Sequence, residues 1–120
     1  MITTITFVGK VAGLNGSGGL QRLHWSKKKK LATGYDWVVR ASTTYRHSGP
    51  VHFELVRYST GREMDYDNLV STGKLPVDSI VRAKVIADDT PAVIVSRKYS
   101  QVRVKTAAEQ RTVIILTDAG

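Results

Sequence analysis

The clearest structural signal in the chain is the stretch Val51-His52-Phe53-Glu54-Leu55-Val56, whose first five residues alternate between apolar and polar side chains. A two-residue period places successive side chains on opposite faces of an extended backbone, so this pattern predicts a half-buried strand that runs to about residue 58. Three other segments are rich in β-branched or alternating residues and predict further strands, at residues 2–8, 93–105 and 111–116. A break at residues 106–110 separates the last two strands.

A helix is predicted between the first two strands. It contains an apolar stripe at positions i, i+4, i+7 and i+8, formed by Leu31, Tyr35, Val38 and Val39. Thr33 followed by Asp36 resembles a capping box, which predicts that the regular helix begins near residue 33 and ends before Gly49-Pro50. Upstream of this helix, four glycines between Gly13 and Gly19 predict a flexible loop.

A second helix is predicted to begin at Pro76, because the missing N–H of a proline costs nothing in the first helical turn. Its buried face would contain Val77, Ile80, Val81 and Lys84. The element order is then β-α-β-α-β-β, and we predict an α+β fold, a two-layer domain with two helices against a mixed β-sheet. Since 120 residues fit one domain, we expect residues 1–120 to form a single domain.

Composition narrows the class of protein. The chain has 18 Lys and Arg against 10 Asp and Glu, a formal net charge of +8, and no Cys, which excludes disulfide scaffolds, thiolate zinc sites and a cysteine nucleophile. The longest aliphatic runs have four residues, far fewer than the ~20 that a membrane span needs, and the amino terminus lacks a signal-peptide pattern. We therefore expect a cytoplasmic protein without a membrane partner. The excess of cations favours a polyanion, because Lys and Arg release counterions from phosphates.

The acidic residues are clustered, since six of the ten lie in one part of the chain: Glu63, Asp65, Asp67, Asp78, Asp88 and Asp89. Asp65 and Asp67 are two residues apart and would share one face of an extended backbone, where their carboxylates repel unless a cation lies between them. Oxygen ligands of this kind suit Mg²⁺, Mn²⁺ or Ca²⁺ rather than zinc. After the second helix, Asp88-Asp89 could bring a third carboxylate to this pair. Such a cluster could hold one or two cations that activate a water against a phosphodiester.

Both acidic pairs also suit purely structural roles. Asp-x-Asp-Asn at residues 65–68 is good turn and helix-capping chemistry, and Asp-Asp-Thr-Pro at residues 88–91 is a common loop sequence. An EF-hand is excluded, because with Asp65 at loop position 1 the sixth position is Val70 rather than Gly. Composition and spacing therefore leave a metal site and local turn roles both open.

Three segments, taken together, resemble the signature of the RusA family of Holliday junction resolvases: Asp65-x-Asp67-Asn68-Leu69, Lys74-x-Pro76-x-Asp78 and Val85-Ile86-x-Asp88-Asp89-Thr90. The resemblance covers residues 62–90 and extends more loosely to the whole chain, where Asn15 and Trp25 correspond to an early basic segment of the family. It implies a Mg²⁺-dependent endonuclease, with Mn²⁺ as a substitute, that acts as a homodimer on four-way DNA junctions.

The resemblance also implies roles for individual residues. Asp65 and Asp67 would be metal-binding catalytic aspartates, and Asp89 would be the third, with Asp88 as the second choice for that ligand. Lys74 would contact the scissile phosphate or help to orient the nucleophilic water. Asp78 is expected to be structural.

A basic segment interrupted by an aromatic residue predicts contacts to DNA phosphates. The predicted DNA-binding residues are Arg22, Trp25, Lys27, Lys28, Lys29 and Lys30, extended along a strand by Arg97 and Lys98. Trp25 could stack on an unpaired base at a junction, although large aromatic side chains are more often anchored in the core.

Two symmetric nicks need two sites, and the chain has one candidate cluster, so a two-fold homodimer would match the symmetry of a four-way junction. The strands at residues 2–8 and 113–116 could form its interface, but we expect most of their apolar residues in the core. The function expected from the sequence is therefore a junction-resolving endonuclease. The alternatives are a non-catalytic basic DNA-binding module and a metal nuclease of the same fold that acts on other branched DNA.

Overall fold

The computed structural model describes residues 1–11 and 24–120. The elements in chain order are β1 (Ile2–Val8), α1 (Trp25–Ser42), β2 (Val51–Ser59), α2 (Tyr66–Ser71), α3 (Lys74–Arg82), β3 (Ile94–Arg103), a 3₁₀ turn (Ala107–Glu109) and β4 (Arg111–Asp118). The predicted glycine-rich loop, Asn15 and the predicted DNA contact Arg22 lie outside the described residues. No helix in the described part of the chain is long and apolar enough to cross a membrane.

The strands of the described residues form one four-stranded sheet in the order β1-β4-β2-β3. β4 is antiparallel to both of its neighbours, whereas β2 and β3 are parallel. The sheet is mixed and helices pack on it, so the predicted two-layer α+β fold is confirmed. A parallel pair needs a crossover connection, and the β2–β3 connection carries α2 and α3. All of the acidic residues between 63 and 89 therefore lie in this single connection.

The core lies between the helices and one face of the sheet. Strands β1, β2 and β4 alternate between buried and more exposed residues, and their buried side chains include Ile5, Phe7, Phe53, Leu55, Ile114 and Leu116. From the helices, Val39, Val77 and Ile80 fill the other side of this core. The expectation that the terminal strands are mostly core is confirmed for their inward face. The outward-facing Ile2 and Val8 are exposed.

The first helix begins eight residues earlier than the capping-box pattern predicts. His24 is its N-cap and accepts a hydrogen bond from the Ser26 amide, 3.3 Å away, at the Nδ1 atom. Thr33 lies within the helix and donates its hydroxyl to the carbonyl of Lys29, while Asp36 pairs with Arg82 of α3. The prediction of a start near residue 33 is therefore wrong, because both side chains of the supposed capping box are used elsewhere.

The region of the second predicted helix contains two helices. α2 was missed because it has only six residues, of which Leu69 is buried. In α3, Pro76 lies in the first turn and Val77 and Ile80 are buried, as predicted. Lys84 does not belong to the face of this helix, because α3 ends at Arg82 and Lys84 has a left-handed backbone with φ of +61°.

A buried histidine joins three separate segments at the edge of the core. The His47 Nε2 atom lies 2.8 Å from the Thr3 hydroxyl, and its Nδ1 atom lies 2.6 Å from the Asp118 carboxylate. The His47 hydrogen bond, followed by that of the terminal amino group, holds the pKa of Asp118 below its usual range. The order Thr-His-Asp resembles a hydrolase triad, but Thr3 and His47 are buried, so substrate cannot reach the hydroxyl. The network therefore stabilises the fold.

Candidate active site

The first two predicted site residues lie at the start of α2. Asp65 is the N-cap of this helix, and its Oδ1 atom accepts a hydrogen bond from the Asn68 amide over 2.8 Å. Asp67 lies in the first turn, where a negative charge interacts favourably with the helix dipole. The expectation that these two aspartates share one face of an extended strand is therefore wrong, since Asp67 has helical backbone. The capping role considered for the Asp-x-Asp-Asn sequence is confirmed for Asp65.

The segment that leads into α2 is attached to β3. The Met64 amide donates to the Gln101 Oε1 atom over 3.1 Å, and the Gln101 Nε2 atom donates to the Met64 carbonyl over 2.9 Å. One residue further along the chain from Asp65, the Tyr66 ring packs edge-on against the Tyr99 ring, with 6.1 Å between centroids. These contacts fix the position of the α2 amino terminus relative to the sheet.

The third predicted aspartate lies in a pocket of about 220 Å³. Asp89 and Lys74 both line it, together with Asp78, Arg97 and Tyr99. The Arg97 Nη2 atom donates to the Asp89 carbonyl over 2.8 Å, which fixes the loop before β3 against the strand. The structure therefore brings together Asp89 and Lys74, predicted as catalytic residues, and Arg97, predicted as a DNA contact.

Asp88 is exposed and has a local role. Its Oδ1 atom accepts a hydrogen bond from the Asp89 amide over 2.8 Å, which is typical of turn chemistry. The pocket of Asp89 is lined by other residues than Asp88. Of this pair, Asp89 is therefore the residue that shares a pocket with Lys74.

The positions of two residues in this region were not predicted from the sequence. Asp78 was expected to be structural, yet it lines the pocket with Lys74. Their i, i+4 spacing on α3 could have indicated this, because residues four apart lie on the same helix face. Gln101 carried no local signal of its role, since its contacts with Met64 depend on how the crossover packs against β3.

The donor set of the region fits a hard cation in its chemistry. Asp65, Asp67, Asp88 and Asp89 are all exposed carboxylates. Within residues 1–11 and 24–120, no group of three His, Cys, Asp or Glu side chains is placed to hold a metal ion. Mg²⁺ commonly uses one or two carboxylates and completes its shell with waters and substrate phosphates. A site of that kind would need no cage of three carboxylates within one chain.

The described part of the predicted basic segment, residues 25–30, lies in the first two turns of α1. Lys27, Lys29 and Lys30 are exposed and Lys28 is half-buried, so the helix presents their charges at the surface. The core position considered for Trp25 is wrong, because its side chain is 69% exposed. Trp25 instead lines an open surface hollow together with Lys29 and Lys30.

The two predicted DNA contacts on β3 lie on opposite faces of the sheet. Arg97 pairs in register with the buried Phe53, and its guanidinium lies 5.8 Å from the centre of that ring. Lys98 pairs with Glu54, and their charged groups are 3.9 Å apart. Since successive strand residues point to opposite faces, Arg97 belongs to the pocket of Asp89 and Lys98 does not.

Comparison of the chain with models of known protein families, and with curated proteins, finds no match. The resemblance at residues 62–90 therefore rests on the motif residues themselves, and the activity that it implies is a proposal.

Proposed function

We propose that this chain is a Mg²⁺-dependent, structure-selective DNA endonuclease that nicks four-way junctions in symmetric pairs. The observation that carries the proposal is the pocket shared by Asp89, Lys74 and Arg97. A carboxylate suited to a hard cation there lies beside two side chains suited to a phosphate. The motif at residues 62–90 supports the same activity independently of this geometry.

In the proposed mechanism, one or two of the motif aspartates Asp65, Asp67 and Asp89 would hold the Mg²⁺ ion, and waters and substrate phosphates would complete its shell. Asp88 is the alternative to Asp89, and Mn²⁺ is a substitute ion. When bound, the ion would supply an activated water and neutralise charge on the cleaved phosphodiester. Capping of α2 uses the Oδ1 atom of Asp65. A carboxylate has a second oxygen and several lone pairs, so capping and metal binding are compatible.

The cations of the pocket would bind and orient the scissile phosphate. Arg97 uses Nη2 to hold the Asp89 carbonyl, and its guanidinium has further N–H groups for a phosphate. Lys74 is exposed at the first residue of α3 and offers a mobile point charge. On α1, Trp25 and the lysines from Lys27 to Lys30 would contact the DNA further from the cleaved bond.

A homodimer would place two such sites about a two-fold axis. The described residues of each chain contain one candidate site, and resolution of a four-way junction requires nicks in two symmetry-related strands. Dimerisation is therefore part of the proposal.

A non-catalytic DNA-binding module is the main alternative, and two contacts favour it. Asp65 caps α2, and Asp88 accepts a hydrogen bond within its own turn, so both residues have structural roles that need no metal. A metal nuclease of the same fold with another branched substrate is the second alternative.

One experiment separates the three functions. A synthetic four-way junction, a flapped duplex and a linear duplex are incubated with the protein, with and without Mg²⁺. Paired symmetric nicks that appear on the junction only with Mg²⁺ support the proposal. Preferential cutting of the flap favours the second alternative, and binding without cleavage at every Mg²⁺ concentration leaves only the DNA-binding module.

Asp67→Asn tests the catalytic assignment, because it keeps the side-chain shape and removes one charge. We expect loss of cleavage with junction affinity equal to or higher than that of the parent, since phosphate is repelled less. Glu63→Gln is the matched control, because it removes an exposed acid of the same segment that has no assigned role. Cleavage by Asp67→Asn at the parental rate would show that the catalytic assignment is wrong.

A further inference from the structure

A second, larger cavity, of about 480 Å³, lies at the opposite end of α3 from the candidate active site. It is bounded by the end of α1 with the following residues 43–46, and by the end of α3 with residues 83–85. Four cationic side chains line it, Arg40, Arg46, Arg82 and Lys84, and none of its described lining residues is acidic. None of these four residues is among the DNA contacts predicted from the sequence.

One of the four cations is held in place by a carboxylate behind it. The Arg82 Nη2 atom lies 2.9 Å from the Asp36 Oδ1 atom, and its Nε atom also donates to that carboxylate. Burial alone would raise the pKa of Asp36, but hydrogen bonding to Arg82 and the charges of Arg82 and Arg40 lower it, so Asp36 is ionised. Arg40, Arg46 and Lys84 form no ion pair within residues 1–11 and 24–120. The cavity therefore keeps a positive charge that the protein does not neutralise.

The helix dipoles explain the presence of only two of the four cations. Arg40 and Arg82 lie in the last turns of α1 and α3, where cations interact favourably with the helix dipole whether or not a ligand binds. Arg46 and Lys84 lie beyond the helices and have no such reason to be basic. The backbone of Lys84, at φ of +61°, is one that glycine or asparagine adopts more readily. A lysine at this position opposes the local backbone preference, which points to a role for its charge.

We propose that this cavity binds the sugar-phosphate backbone of DNA, at a contact remote from the cleaved bond. The identity of the ligand in this proposal rests on the proposed function, because DNA is the polyanion that a DNA endonuclease must bind. The nine residues of α3 separate Lys74 from Arg82 by about 12 Å along the helix axis. That distance corresponds to roughly three nucleotide steps of one strand. A strand with its scissile phosphate at Lys74 would therefore reach the cavity within a few nucleotides.

The test is the salt dependence of DNA binding without divalent metal, measured on the four-way junction and on a linear duplex. Arg46→Gln combined with Lys84→Asn removes two charges, and asparagine tolerates the left-handed backbone, so the variant should fold. If each residue contacts one phosphate, the slope of log Kobs against log salt becomes shallower by about 1.8. Arg46→Lys with Lys84→Arg retains the charges and should retain most of the slope.

A second control removes two exposed charges elsewhere, through Lys10→Gln with Lys105→Gln. An unchanged slope for the cavity variant, or an equal change for this control, would overturn the proposal. Amide chemical shifts of Tyr45 and Val85 distinguish the source of the phosphate. Shifts on addition of junction DNA support the proposal, whereas shifts with inorganic phosphate at matched ionic strength but not with DNA contradict it.

Failure of this proposal can be distinguished from failure of the proposed function. If the cavity variant shows a shallower salt dependence of binding but the parent never nicks a junction with Mg²⁺, the DNA contact at the cavity is supported and the nuclease function is refuted. If the parent nicks junctions and the cavity variant has the parental slope, the nuclease function is supported and the DNA contact at the cavity is refuted.

Discussion

Asp65 allows the structural role of the acidic motif to be separated from its proposed catalytic role, because the two roles use different properties of one carboxylate. Capping of α2 needs an oxygen that accepts the Asn68 amide. Metal binding needs the negative charge. Asp65→Asn keeps the acceptor and removes the charge, whereas Asp65→Ala removes both.

The expected size of each effect follows from the contact. The cap is one hydrogen bond of 2.8 Å at an exposed helix terminus, and its loss in Asp65→Ala should lower the free energy of unfolding by about 1 kcal/mol. For a domain of this size, that corresponds to a decrease in melting temperature of about 4 °C. Asp65→Asn should lose only the interaction of the charge with the helix dipole, about 0.5 kcal/mol. Both variants should lose junction cleavage by at least about 100-fold, the scale of removing one charge-stabilising group.

Two assays on the same three proteins decide the matter. Thermal denaturation should rank the parent above Asp65→Asn, and Asp65→Asn above Asp65→Ala. Nicking of an end-labelled junction with Mg²⁺ should instead group the two variants together, far below the parent. An Asp65→Asn protein that nicks at the parental rate would refute the metal-binding role. An Asp65→Ala protein as stable as the parent would refute the contribution of the cap.

Three further predictions concern binding and stability. Replacement of Lys27–Lys30 by alanine should weaken DNA binding and flatten its salt dependence, and an unchanged slope would argue against this contact. The His47 hydrogen bond is the main cause of the lowered pKa of Asp118. The ionised Asp118 therefore stabilises the fold above the ordinary carboxyl pKa of ~3.9, and this stabilisation is lost as the pH falls below that value. Urea denaturation should therefore show Asp118→Asn less stable than the parent near neutral pH, with the difference shrinking in acid; a constant difference would contradict the assignment. Leu116→Ala, which empties a fully buried site, should cost about 3 kcal/mol by the same method, and a loss below about 1 kcal/mol would contradict its core position.

The strands could be predicted from the sequence because their signal is local. In β1 and β4, alternate residues such as Ile5 and Ile114 are buried, so the period of two in the sequence is the period of burial. The sequence predicted a mixed sheet but not the order of its strands. Which strand lies beside β2 depends on contacts between residues that are far apart in the chain.

The start of α1 could not be predicted, because its first turns carry little apolar signal. Lys27 to Lys30 give a charged run, and the helix there is capped by His24, which is not among the strongly preferred capping residues. The backbone of the acidic motif was predicted wrongly for a related reason. Asp65 and Asp67 lie at the start of α2, a helix of six residues. Leu69 is its one buried residue among those described, and a single buried position produces no periodic pattern.

Part of the candidate site was accessible from the sequence. The motif placed Asp89 and Lys74 in one site, and the structure brings them to one pocket. The inclusion of Arg97 was not predictable as part of that site, because it depends on β3 lying parallel to β2 and on a hydrogen bond to the Asp89 carbonyl.

The position of β3 has a consequence for the thermal stability of the candidate site. In the described sheet β3 is an edge strand that pairs only with β2, and among its ten residues, all described, only Ile94 is buried. Its side chains nevertheless hold both halves of the candidate site, through Arg97 to Asp89 and through Gln101 to Met64. Strands with few buried contacts open at lower free energy than the core. Local detachment of β3 would therefore dismantle the candidate site while β1, β4 and β2 stay folded, so that the geometry of this site is lost on heating before the cooperative unfolding of the chain.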